Sequence, residues 1–265
     1  MKKRNNAIGL IDSGIGGLTV LNELIKQLPN ESYLYIADQK YCPYSNLSIV
    51  FLKQRLLKIC EYLEKRKVKL IIIACNTGSI FIDYLKKYIK TPIVSVIIPT
   101  CKEVIKKTKN RNVGLLATKT TIDSKIYEDI LKRENIKSYG VSCSEFVKII
   151  ENENIDSYNS KLIINNKINQ LTDKNIDTLI YGCTHFSLLH KVIQPYFKNC
   201  TFIDSSKPTS NFVFLYLKSL DLIRNKKKKA KIVIKTTLNK RKTKKQISIF
   251  KLKNIKLSKI TIKML

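Results

Sequence analysis

Short continuous apolar runs alternate along the chain with segments whose apolar residues recur every three or four positions. Residues 7–11, 33–37, 70–74 and 93–97 are runs of strand length. Between them, Leu18, Leu21, Leu24, Ile25 and Leu28 share one helical face, stopped by Pro29 and Asn30, and Leu52, Leu56, Ile59 and Leu63 share another. A further helix is expected over 79–87. Strands apolar throughout, joined by amphipathic helices, predict a parallel α/β sheet covered on both faces.

The pattern then restarts. Val113-Gly-Leu-Leu-Ala-Thr118 resembles Ile8-Gly-Leu-Ile-Asp-Ser13, and a helix is expected after each. A strand over 178–181 runs into Gly182-Cys183, as 71–74 runs into Cys75. Ser13 and Cys75 are 62 residues apart, and Thr118 and Cys183 are 65 apart. Two copies at such a period predict two similar parallel-sheet α/β domains, not a solenoid. The expected division is residues 1–98 with about 207–265 as a discontinuous first domain, and 99–206 as the second. A pseudo-two-fold between the halves would put an active site in the cleft between them, since ligands of open parallel sheets bind beyond the carboxyl ends of the strands.

Length and charge narrow the picture. A chain of 265 residues can bury a sizeable core. No apolar run approaches membrane-spanning length, and the start of the chain lacks a signal-peptide pattern, so the expectation is a cytoplasmic protein with no membrane association. The seven cysteines are odd in number and include no C-x-x-C pair, which argues against a disulfide framework and a structural zinc site. The net charge is +30; residues 224–265 hold 17 of the 50 basic residues and none of the 20 acidic ones. Nucleic-acid binding by this tail is one reading. The other is Lys/Ile/Asn drift through the whole chain, and the alternation of apolar and basic residues around 232–234 and 255–262 favours solvated strand faces.

Two short stretches carry the chemistry: Ala74-Cys75-Asn76-Thr77-Gly78-Ser79 and Gly182-Cys183-Thr184-His185. Both cysteines fall at strand ends. Two thiols flanking one small substrate suit a two-base proton transfer, in which one thiolate removes a proton from carbon and the other thiol delivers one to the opposite face. A free thiol is a weak base at neutral pH unless a neighbour takes its proton. His185 lies two residues from Cys183, and Asp12 ends the strand expected beside that of Cys75. A Cys–His acyl-transfer site would leave one of two matched cysteines redundant. Asp12-Ser-Gly-Ile-Gly-Gly17 lacks the G-x-G-x-x-G spacing, because Thr19 stands where the third glycine belongs. It offers free backbone N–H groups for a carboxylate, or a tight turn that needs glycine. His190 is expected on a surface helix.

These residues resemble glutamate racemase, in the cofactor-independent branch of the aspartate/glutamate racemase superfamily. The resemblance rests on Asp12-Ser-Gly-Ile-Gly-Gly-Leu-Thr-Val-Leu21, Ala37-Asp38, Pro43-Tyr44, Ala74 to Ser79, Ala117-Thr118-Lys-Thr-Thr121 and Gly182 to His185, running in order from about 7 to 205. It implies that Cys75 and Cys183 are the acid/base thiols, acting on the D- and L-isomer respectively. Asp12 would assist Cys75, His185 would assist Cys183, Glu151 would be a helper carboxylate, and Asp38 a further active-site acid. Ser13, Tyr44, Ser45, Asn76, Thr77, Thr118, Thr121 and Thr184, with Asp12 and His185, would bind the substrate. Neither pyridoxal phosphate nor a metal is implied; a homodimer is, and D-glutamate for peptidoglycan synthesis would be the product.

The sequence departs from the family where Pro-Tyr-Gly becomes Pro43-Tyr44-Ser45, where a Glu-Pro-Gly connection becomes Ile98-Pro99-Thr100, and where Gly-Asp-Thr becomes Ala37-Asp38-Gln39. Cys-Thr-His-Tyr-Pro becomes Cys183-Thr184-His185-Phe186-Ser187. Ser45 can keep a backbone N–H contact if its φ is negative, and Ile98–Thr100 reads as a link between halves. Two other readings stand beside glutamate racemisation: the same chemistry on aspartate, and an inactive basic scaffold that binds nucleic acid.

Overall fold

The computed structural model describes residues 3–152, 154–225, 230–248, 250, 252 and 255–263. Two compact units emerge, Met1–Val96 with Ser206–Leu265, and Ile97–Ser205.

In the first unit, β1 (Ile8–Asp12), β2 (Tyr33–Ala37), β3 (Leu70–Ile73) and β4 (Ile93–Ser95) form the order β2-β1-β3-β4. In the second, β5 (Asn112–Ala117), β6 (Lys137–Ser142), β7 (Thr178–Gly182) and β8 (Thr201–Ile203) form β6-β5-β7-β8. These orders are the same topology, and every strand pair is parallel. The internal repeat read from the sequence is therefore a repeat of fold. β9 (Ile232–Thr236) and β10 (Ile255–Lys259) extend the first sheet beyond β2.

Burial follows the pattern of the sequence. β1, β2 and β3 are buried at every position, as expected of strands covered on both faces. One apolar cluster joins the Leu18–Gln27 and Ser206–Ser219 helices to one face of the first sheet. A second cluster packs Leu52, Leu56, Ile59 and Leu63 of the Ile49–Lys65 helix against Ile11, Ile36, Ile71 and Ile73. The chain's return to the first unit is pinned by a buried ion pair: Lys69 Nζ reaches Glu31 Oε2 at 2.6 Å and also donates to the carbonyls of Arg4 and Leu222.

Several local expectations need correction. Residues 79–87 are not one helix but two short ones, Asn76–Ser79 and Ile82–Lys86. Ser79 Oγ donates to the Ile73 carbonyl at 2.8 Å, turning its hydroxyl back onto the strand. The fourth strand ends at Ser95, because Ile97 already begins the Ile97–Lys107 helix. Ile98–Thr100 lies in the first turn of that helix, directly after the division between the units at Val96. Pro99 is tolerated there because first-turn N–H groups have no intrahelical acceptor to lose. The tail holds a helix that the alternating pattern concealed, Lys240–Ser248, which buries Thr243, Gln246 and Ile247 and turns its lysines outward. No helix of the described residues is long and apolar enough to cross a membrane.

Candidate active site

The first thiol stands at a strand end beside the glycine-rich turn. β1 and β3 pair through Ile11 and Ile73, and the N–H groups of Ala74 and Cys75 both point to the Ile11 carbonyl, at 2.8 and 3.4 Å. This fixes Cys75 against the end of β1, where Asp12 and Ser13 lie. Cys75 Sγ is 3.9 Å from Ser13 Oγ, and Cys42 Sγ lies 3.9 Å from the same hydroxyl. Asp12 is fully buried, and its Oδ1 accepts the N–H of Gly14 at 2.8 Å. That N–H is consumed locally and is not one of the donors the turn could offer a ligand.

No described glycine has a positive φ, so backbone handedness is not why the turn needs glycine. At Gly17 the reason is space: a Cβ there would lie 2.7 Å from Asp12 Cβ and 2.8 Å from Tyr35 Oη. Asn76 and Thr77, just after Cys75, are buried as well. Ser45 has a negative φ in the turn Tyr44–Asn46, which meets the condition for keeping a backbone N–H contact there.

Asp38 is held by two side chains. Its Oδ2 accepts Arg55 Nε at 2.8 Å and the Tyr44 hydroxyl at 3.0 Å, and its Oδ1 accepts Arg55 Nη2 at 2.6 Å. Both oxygens are engaged and both charges are buried. These contacts fix the Tyr44 hydroxyl and the Arg55 guanidinium on one carboxylate. Burial, then the Asp38 charge, raises the Tyr44 phenol well above its ordinary value, so it stays neutral. Arg55 is the residue that sequence reasoning missed. It lies on the same helical face as Leu52, Leu56, Ile59 and Leu63, and one charge on an apolar stripe was the available signal.

The second thiol has an imidazole. Cys183 follows β7, with Cys183 Sγ 3.8 Å from His185 Nδ1, and His185 Nε2 is 2.9 Å from Glu151 Oε1. An ionised carboxylate can only accept, so Nε2 carries the hydrogen and donates it. Nδ1 is then left to face the thiol, as acceptor when the ring is neutral and as donor when it is charged. Burial alone would lower the His185 pKa, but its hydrogen bonds with Cys183 and to Glu151 outweigh it and raise it well above 6.5.

Around this pair, Thr118 Oγ1 and Thr121 Oγ1 lie 3.0 Å apart, following the β5 residue Ala117 that pairs with Gly182. Thr184 is buried. Tyr127, absent from the sequence reading, is buried near Cys183 and hydrogen-bonded to Ser205 and Thr100; burial raises its phenol well above the usual value. His190 is not a surface residue: it is half-buried, with Nδ1 3.0 Å from the Tyr181 hydroxyl and its ring edge-on to Phe202.

The other thiols have different surroundings. Burial pushes Cys60, Cys101 and Cys143 up, Cys101 to about 12, which keeps them protonated and inert. No described cysteine forms a disulfide.

The model of the Asp/Glu/Hydantoin racemase family matches residues 33–209. The chain belongs to that family, in its glutamate racemase branch. The glutamate racemase of Enterococcus faecalis is 37% identical over 220 residues, 82% of this chain and 81% of the relative. Among solved racemase structures, the RacE1 glutamate racemase of Bacillus anthracis aligns with a TM-score of 0.92 at 29% identity, covering 98% of both chains. The glutamate racemase of Francisella tularensis, solved in complex with D-glutamate, aligns at 0.90 and 29% identity, again over 98% of both. The resemblance read from the motifs is borne out, and so is the reading of the chain as a racemase.

Proposed function

We propose that this racemase interconverts L- and D-glutamate by proton transfer at Cα between Cys75 and Cys183. The observation that carries the reading is the placement of two thiols after equivalent strands of two repeated sheets, β3 and β7, one of them aligned on His185 and Glu151. One thiolate takes the α-proton, leaving a carbanion-like centre. The other thiol gives its proton to the opposite face. The enantiomer forms, and the two sulfurs have exchanged protonation states, so the next turnover runs in reverse unless the sulfurs re-equilibrate with solvent.

From L-glutamate, Cys183 is the base and its proton is held in check by His185; from D-glutamate, Cys75 is the base beside Asp12. Ser13, Tyr44, Ser45, Asn76, Thr77, Thr118, Thr121 and Thr184 bind the carboxylates and the amine. Buried polar groups fixed before the reaction stabilise developing charge without reorganising, and fixed placement supplies the orientation term. The D-glutamate complex of the Francisella relative supports the choice of substrate. The same reading takes the protein to be a cytoplasmic homodimer whose product serves peptidoglycan synthesis.

The test is circular dichroism of the purified protein with each glutamate enantiomer and no added cofactor. Decay from both sides to zero signal supports the proposal. Folded, reduced protein that leaves glutamate unchanged and racemises aspartate would overturn the substrate.

A further inference from the structure

Next to the carboxyl ends of β2, β9 and β10, a cavity of about 380 Å³ opens in the first unit. None of its lining residues belongs to the proton-transfer or substrate-binding set above. Three of them are cations, Lys40, Arg55 and Lys259, while Thr237 and Asn239 add a hydroxyl and an amide; among the described residues no carboxylate lines it. Arg55 is only 1% exposed, and its charge is paired with the buried Asp38. The Tyr41 ring packs 4.7 Å from its guanidinium and 5.7 Å from Lys40 Nζ, which holds both cations beside one wall.

Compositional drift scatters lysines over a surface but does not build a concave site around them. Here the fold has done so. Arg55 Nη1 donates to the Ile262 carbonyl at 2.6 Å and ties the end of the described chain to the cavity. The Lys40 N–H donates to Thr237 Oγ1 at 3.0 Å, locking the turn after β2 to the end of β9. A buried hydrogen-bonded group of Gln39, Thr236, Thr243 and Gln246 then fastens the Lys240–Ser248 helix to the same edge. That helix begins directly after Asn239, whose Oδ1 caps the Arg241 N–H at 2.8 Å. Its lysines and arginine are exposed and add to the positive field over the opening.

We propose that this cavity is a binding site for a small anion of the phosphate class. Lys40 and Lys259 supply the point charges, Thr237 and Asn239 supply polar contacts, and Arg55, its charge paired with Asp38, forms a fixed part of the wall. The proposal rests on the cavity alone and is independent of the racemase reading.

Isothermal titration calorimetry of the full chain with inorganic pyrophosphate tests it, with ionic strength held constant by sodium chloride. One saturable site is expected. The double variant Lys40→Gln/Lys259→Gln, both exposed positions, should weaken binding at least tenfold without changing the melting temperature of the free protein. Pyrophosphate should raise the melting temperature of the parent chain and not that of the variant, because binding to the folded state alone stabilises it. Lack of saturable binding, or binding undiminished in the variant, overturns the site. Displacement of pyrophosphate by D-glutamate would put the anion in the substrate site and overturn it equally.

Discussion

The two halves repeat one topology, yet they surround their thiols with different chemistry. In the repeat, Asp12 corresponds to Ala117 and Ser13 to Thr118. The first half therefore has a buried carboxylate at the end of β1, held by the Gly14 N–H, and a serine hydroxyl 3.9 Å from the sulfur. The second half lacks that carboxylate and places an imidazole 3.8 Å from the sulfur, backed by Glu151. The strand ends are shared and the side chains around them are not. A duplicated fold fixes where two thiols stand, and a few residues after each strand set the chemistry beside it.

The largest effect expected from this comparison is at the thiols themselves. Cys75→Ala and Cys183→Ala should each lower glutamate racemisation by ~10²–10⁴-fold with unchanged circular dichroism in the far ultraviolet, since on the proposed mechanism each removes a proton-transfer group. Full turnover in either variant would break the pairing of the two halves.

Next come the groups that act through Cys183. Glu151→Gln removes the partner that keeps the His185 ring charged. The acid limb of kcat from L-glutamate should move to higher pH, because a thiol passes its proton only to the neutral imidazole, and the imidazolium so formed loses the carboxylate that stabilises it. The equilibrium constant of a racemase is one, so kcat/KM must fall equally in both directions. The asymmetry appears instead in isotope effects, with α-deuterated L-glutamate showing the larger effect on kcat/KM. Equal effects from both enantiomers would erase the distinction between the halves.

The same pair gives a pH-dependent stability whose sign is fixed. The folded-state pKa of His185 is raised, so its contribution is fully present below about 6.5 and is lost as pH rises toward the folded value. Chemical denaturation should show the parent chain's advantage over Glu151→Gln shrinking over that window.

Smaller effects sharpen the account of the first half. Arg55→Met leaves Asp38 buried without its partner and should cost about 3–5 kcal/mol in urea unfolding. Gly17→Ala should cost about 1–3 kcal/mol, because its methyl group meets Asp12 and Tyr35. On the proposed mechanism it should also lower activity, since it displaces Asp12.

Much of this was legible in the residues. Apolar runs of β1, β3, β5 and β7 were visible because strands buried on both faces have no polar alternation to blur them. The match of 8–13 with 113–118 exposed the repeat, and the strand-end position of each cysteine followed from it. What escaped notice depends on contacts far apart in sequence. Arg55 and Asp38 are 17 positions apart and meet only when the Ile49–Lys65 helix packs on the sheet. Tyr127 reaches Ser205 in the same way. The Lys240–Ser248 helix has few apolar residues, and its inward face is held by Thr243, Gln246 and Ile247, so hydrophobic periodicity could not announce it.

The central claim is that two thiols, not one, move the proton. The direct measurement is racemisation in deuterium oxide, stopped at low conversion and read by mass spectrometry and chiral separation. Starting from protiated L-glutamate, the two-thiol account predicts deuterium at Cα of the D-product and protium in the recovered L-substrate, with the mirrored result from D-glutamate. Deuterium entering recovered substrate as fast as product, or product keeping its original proton, would contradict it.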